Sequence, residues 1–165
     1  MGVIARGVLI AIAAIAGAWA MFAWVWVPHR NSIEITDLTR RTNAAGDVKD
    51  EYQRTARARE NLRALASLRE TAPDDVRVPA LIAANYELLA QYDEMLRASD
   101  DALRVEPRPE MYLLRGDALL ALGRVDEAVE SYAVAARFDP VYLEKIISTG
   151  LFERVRARAA VKNRG

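Results

Sequence analysis

Residues 109–140 read PEMYLLRGDALLALGRVDEAVESYAVAARFDP, and the 33 residues before them follow the same plan. Tyr92-Asp93-Glu94-Met95 stands 33 positions ahead of Val125-Asp126-Glu127-Ala128. Ala102 precedes Ala135, and Pro107 precedes Pro140, by the same step. The two blocks close on Arg-Val-Glu-Pro and Arg-Phe-Asp-Pro. A fainter copy ends at Pro73, and Tyr52 and Leu68 map by 34 onto Tyr86 and Ala102. A fixed period of this length marks a stack of similar supersecondary units. An ordinary helical bundle would not hold such a register.

The positions within 109–140 carry a family resemblance. Tyr112, Gly116, Leu119, Gly123, Ala128, Tyr132, Ala135 and Pro140 fall in the order aromatic, small, large, turn, small, aromatic, small, proline. In this the chain resembles a tetratricopeptide repeat (TPR) protein. Arg115 stands where the family usually has leucine. The physical roles follow. Gly116 and Ala128 let the two helices of a hairpin approach closely. Gly123 serves a turn that uses positive φ. Tyr132 and Ala135 pack against the next hairpin, and Pro140 ends the second helix.

Residues 76–107 form a looser copy, with Ala83 at the small position, Met95 for alanine and Ser99 for the aromatic. Pro79 suits a first helical turn. The block 42–73 is degenerate. Leu62, Leu65 and Leu68 share a helix face, but Lys49 occupies the small position, so one longer helix from Val48 to Arg69 is an alternative. After Pro140 the pattern restarts, with Gly150 in phase with Gly116, and helices are expected over Val141–Ser148 and Leu151–Val161. This segment suits the cap that a repeat array needs on its last open face.

Ahead of the repeats, Gly7 to Val27 is an uncharged run, GVLIAIAAIAGAWAMFAWVWV. As a helix it matches the hydrocarbon core, about 30 Å thick. Trp19, Trp24 and Trp26 crowd toward one end, as interfacial anchors do, and Pro28 and Arg30 mark the exit. The run is apolar all round, unlike the single stripe of a globular helix. Gly7 with Ala11, and Ala13 with Gly17, form four-residue pairs that favour close helix packing in lipid. The same pairs also follow from an alanine-rich composition. Ala18-Trp19-Ala20 offers the alternative of signal cleavage and an exported soluble protein. The expected plan is an N-terminal tail (1–6), a transmembrane anchor (7–27), a juxtamembrane linker (28–46), TPR-like repeats (47–140), and a capping helix with a basic tail (141–165). The fold class expected is all-α, an anchored α-solenoid of helix-turn-helix repeats.

Composition narrows the chemistry. The chain has 23 basic and 23 acidic residues, one histidine and no cysteine. Zero net charge gives a nucleic-acid partner no basic field. Thiol catalysis, disulfides and thiolate metal sites are excluded. His29 has no evident catalytic partner. Asp74-Asp75, Asp93-Glu94, Asp100-Asp101 and Asp126-Glu127 are paired acids at helix starts, turns and exposed faces. Negative charge at a helix start meets the dipole there. No glycine-rich phosphate loop occurs. Hence no catalytic residue, metal, cofactor or small-molecule substrate is expected. Arg154, Arg156, Arg158, Lys162 and Arg164 make a basic C-terminus. It suits either the negative end of a helix dipole or contact with anionic lipid or an acidic partner surface.

The resemblance implies a scaffold that binds a protein segment in a groove lined by first helices. Candidate groove residues are Asn85, Tyr86, Leu89, Tyr112, Asp117 and Leu120. One TPR subclass clamps acidic chaperone tails with basic and amide side chains. The corresponding positions here are Gly46, Asp50, Ala80, Ala84, Glu110 and Leu114, so that binding is not expected. Similar single-pass TPR proteins of bacteria assist membrane complexes. The expectation is an accessory or assembly subunit in the inner membrane, with its repeats on the periplasmic side.

Overall fold

The computed structural model describes residues 3–147 and 150–161, with side chains over 12–147 and 150–160. Regular structure among them is helical throughout. In order come α1 (Val3–Met21), a π-helical turn (Phe22–Trp26), α2 (Val27–Gly46), α3 (Glu51–Thr71), α4 (Arg77–Leu88), α5 (Tyr92–Val105), α6 (Pro109–Ala121), α7 (Val125–Phe138), α8 (Tyr142–Ile146) and α9 (Phe152–Val161).

The first three elements form one rod. Trp26 (φ −77°, ψ −40°) and Val27 (φ −65°, ψ −49°) keep helical torsions through the junction. Pro28 lacks an N–H and crowds the preceding turn. The winding widens just ahead of it, where the Val27 N–H donates to the Phe22 carbonyl. Residues 28–46, expected as a linker, are therefore helical. One stripe of this helix, Asn31, Ile35, Leu38, Thr42 and Ala45, is buried in the body of the protein. Ile12–Gly46 is the one helix among the described residues that is long and apolar enough to cross a membrane, and none of its apolar window is buried.

α2 packs on α3 and α4 through Ile35, Leu38, Leu65, Leu68, Val78 and Leu81. Amide side chains fix the register. Asn31 Nδ2 donates to the Thr71 carbonyl (3.0 Å), so the start of α2 lies beside the end of α3. Asn85 Nδ2 donates to Thr42 Oγ1 (2.9 Å), and Asn61 Nδ2 donates to Asn85 Oδ1 (3.1 Å). α3 thus runs antiparallel to α2, and α4 parallel to it. Each helix from α2 to α7 packs against its successor, and α4 also touches α2 and α6.

The first hairpin departs from the expected 42–73 block. Its second helix is the single long α3, N-capped by Asp50, which accepts from the Gln53 N–H (2.7 Å). Its first helix is α2, on the continuation of the apolar segment. The next two hairpins, α4–α5 and α6–α7, share one register. α5 and α7 each span 14 residues and start 33 apart. The acid pairs Asp93-Glu94 and Asp126-Glu127 occupy their first turns. The turns match in torsion as well, with φ +53° at Ala90 and +75° at Gly123.

Gly116 faces the Tyr132 ring so closely that a Cβ would lie 2.8 Å from Cζ and nearer still to Cε1 and Cδ1. The preceding hairpin carries Ala83 and Ser99 at these two positions. A small residue replaces the ring where a methyl replaces the hydrogen, and the Ser99 hydroxyl bonds back to the Met95 carbonyl (3.0 Å).

The C-terminal segment closes the open side of α7. Ile146, Leu151 and Val155 bury with Val129, Tyr132 and Ala133. α8 covers only Tyr142–Ile146 of the expected 141–148 helix, and Ser148 lies outside the described residues. Gly150 is not at a helix-contact position as its phase suggested. It has φ +70° and open space around it, in the turn before α9.

Candidate functional site

A cleft of about 620 Å³ opens among the described residues where α3 and α5 splay apart over α4. Leu62, Val78, Ile82, Tyr86 and Ala98 give it an apolar floor. Arg69, Glu94, Arg97 and Asp101 stand at its edge. Arg69 reaches from α3 to Asp101 on α5 (2.9 Å), and Asp101 also takes Arg104 (2.6 Å). The cleft combines greasy depth with a charged rim of both signs, as grooves that hold a peptide or helix do.

The predicted groove residues do not converge on this cleft. Tyr86 lines it. Asn85 is 0% exposed and committed to Thr42, Asn61 and the Leu81 carbonyl (2.8 Å). A buried amide so placed is a structural pin and offers nothing to a partner. Leu89 is half-buried and ends α4, its N–H donating to the Asn85 carbonyl (3.3 Å). Tyr112 stacks on Phe138 at 6.1 Å, and its carbonyl accepts from Ser131 Oγ (2.9 Å). Leu120 packs against the core around Tyr132.

Asp117 accepts a hydrogen bond from the Tyr132 hydroxyl (2.6 Å). Burial raises the Asp117 carboxyl above its ordinary value, against the lowering effect of that bond. Glu87 on α4 is raised too, by desolvation and then by the negative charge of Asp117. The Tyr132 hydroxyl is pushed up by burial and by its bond to Asp117. Glu87 and Asp117 thus give the neighbouring faces of α4 and α6 an acidic character. The repeat pattern does not signal this cluster, because Asp117 looks like any exposed helical acid until its partner is known.

Charged residues elsewhere hold helices together. Arg115 reaches back from α6 to Asp100 on α5 (2.8 Å). Arg154 pairs with Asp126 (2.6 Å), Arg158 with Glu130, and Arg156 with Glu153 (2.7 Å). Arg154 and Arg158 therefore pin α9 to α7, while Arg156 pairs within α9. Lys162 and Arg164 lie outside the described residues. No group of three or more histidine and acidic residues capable of holding a metal ion occurs among the described residues.

On the apolar helix, Trp19, Trp24 and Trp26 are all exposed, and Trp24 is 85% so. Phe22 stacks on Trp26 (5.2 Å), and the Arg30 guanidinium sits over the same ring (5.9 Å). This is the aromatic and cationic collar that favours a membrane–water boundary. Ala13 and Gly17 are exposed, and a Cβ at Gly17 would meet nothing within 4 Å. The side chain of Ala11, and Gly7 as a packing site, lie outside the described side chains. No family model matches the sequence, and no curated protein matches it.

Proposed function

We propose that the chain is a membrane-anchored TPR scaffold that binds another protein, as an accessory or assembly subunit of a larger membrane complex. The observation that carries this reading is the apolar helix. It is wholly exposed along its apolar window, ends in a tryptophan collar and runs without a break into the helical body. An apolar surface of that length is unstable in water and calls for lipid around it. The 33-residue register of α4–α5 and α6–α7, with matched positive-φ turns, supports the TPR assignment. The cleft over α4 is the surface offered to a partner segment. The uncovered Ala13 and Gly17 are the surface offered to a partner's membrane helix. In this reading the repeats stand on the exported side of a bacterial inner membrane.

Purification in mild detergent through a C-terminal tag tests the reading. Recovery of stoichiometric membrane subunits is expected, with their loss on Gly17→Ile and no change in the chain's own helicity. Recovery of the chain alone under several detergents would sink it. The intact mass of the purified chain separates an anchor, which keeps residues 1–20, from an exported protein cut near Ala20.

A further inference from the structure

We infer that one end of the helical body, formed by the α3–α4, α5–α6 and α7–α8 turns, rests against the interfacial layer of the bilayer. The inference builds on the anchor reading given above. Asn31 stands four positions past Val27, the last of the apolar run, which is about 6 Å along a helix. Asn31 is hydrogen-bonded to the Thr71 carbonyl at the end of α3. The headgroup region is itself only about 5–7 Å deep on each side. The α3–α4 turn is therefore held at headgroup depth by a rigid helix.

The other turns lie at the same end of the body. α4 runs parallel to α2, as the Thr42–Asn85 bond requires. Val76, Ala102 and Met111 pack together, which places the end of α5 and the start of α6 beside the start of α4. Phe138 stacks on Tyr112, and Tyr142 bonds to Glu110, which brings the α7–α8 turn to the start of α6.

Several large apolar side chains are also left uncovered at this end. Ile33 is 59% exposed, Val105 39%, Phe138 55% and Val141 50%. Three prolines, Pro73, Pro107 and Pro140, are exposed at the same turns. Two of the arginines there are already engaged, Arg77 with Asp75 (2.6 Å) and Arg108 with Glu106 (2.7 Å). Asp74 and Asp139 add negative charge. The surface thus suits the interface of zwitterionic lipid through apolar contact, and does not depend on anionic headgroups.

The chain has no cysteine, so single labelling sites are clean. An environment-sensitive fluorophore is attached to full-length Phe138→Cys, Val105→Cys, His29→Cys and Ala121→Cys, each in nanodiscs of phosphatidylcholine. Quenching by lipid brominated near the headgroup is then read. His29 lies just past the apolar run, and Ala121 is exposed at the opposite end of the body. Quenching at 138 and 105 at least half as strong as at 29, with little at 121, is expected, and unchanged on adding phosphatidylglycerol. Quenching at 29 with 105 and 138 no different from 121 would overturn the inference and leave the anchor standing. Absence of quenching at 29 as well would overturn both. Quenching at 105 and 138 only with phosphatidylglycerol present would replace apolar contact by charge attraction, and so overturn the inference as stated.

Discussion

At Gly116 a hydrogen atom is all that separates α6 from the Tyr132 ring. Gly116→Ala is expected to destabilise the protein by about 1–3 kcal/mol, the range for overpacking a closed core. Urea unfolding of the full chain in detergent, followed by circular dichroism, measures this. The opposite sign is expected at Ala90, whose φ of +53° strains an L-residue. Ala90→Gly should stabilise by about 0.5–1 kcal/mol in the same assay, because glycine takes that torsion freely. Asp117 gives a pH signature. Its carboxyl ionises near 3.8 in the absence of structure and holds its proton to higher pH in the folded protein. Between those two values the folded state binds more protons than the unfolded state, so this group's contribution to stability falls as pH rises. Asp117→Asn removes that loss, and its oxygen still accepts from Tyr132. The difference in stability, variant minus parent, should climb with pH from about 3.8 upward and then level off. An urea midpoint series across pH 3–7 checks it. Gly116, Gly123 and Tyr132 were legible as a set because their residue types are diagnostic. Ala90 was not, because the same turn is there made by a residue that carries no turn signal.

Among the elements, α2 holds the most consequence. Its buried stripe, Asn31, Ile35, Leu38, Thr42 and Ala45, has the three-and-four spacing of a packed helix face. Two of those five residues are polar, and Pro28, Asn43 and Gly46 read as chain breakers. The stripe was therefore hidden, and a linker was the natural expectation. The polar residues become intelligible only in partnership, since Thr42, Asn61 and Asn85 satisfy one another across α2, α3 and α4. Removing one member leaves buried groups without partners. Asn85→Ala should cost about 1–3 kcal/mol, and Thr42→Val a comparable amount. Hydrogen exchange read by mass spectrometry should show protection lost first in α2 over 31–46, while α6 and α7 hold. The cleft over α4 was illegible for a different reason. It exists because α3 and α5 diverge, and helix separation leaves no mark in residue spacing.

For the molecule as a whole, the all-helical class and the apolar segment were readable from composition and periodicity, while their junction was not. A flexible linker would let the body wander above the bilayer. A continuous helix would fix its height and orientation, and under the proposal would present the same turns to the lipid and the same cleft to a neighbour. The unbroken run from apolar segment into body is the claim on which the anchoring, the docking geometry and the lipid contact all depend. The most direct measurement is a spin-label distance in full-length protein reconstituted in nanodiscs, with labels at Ala14→Cys and Asn43→Cys. A continuous helix places these sites roughly 40 Å apart at about 1.5 Å per residue, with a narrow distribution. A broad distribution, or a mean well short of that length, would show a hinge between the two and refute the rod.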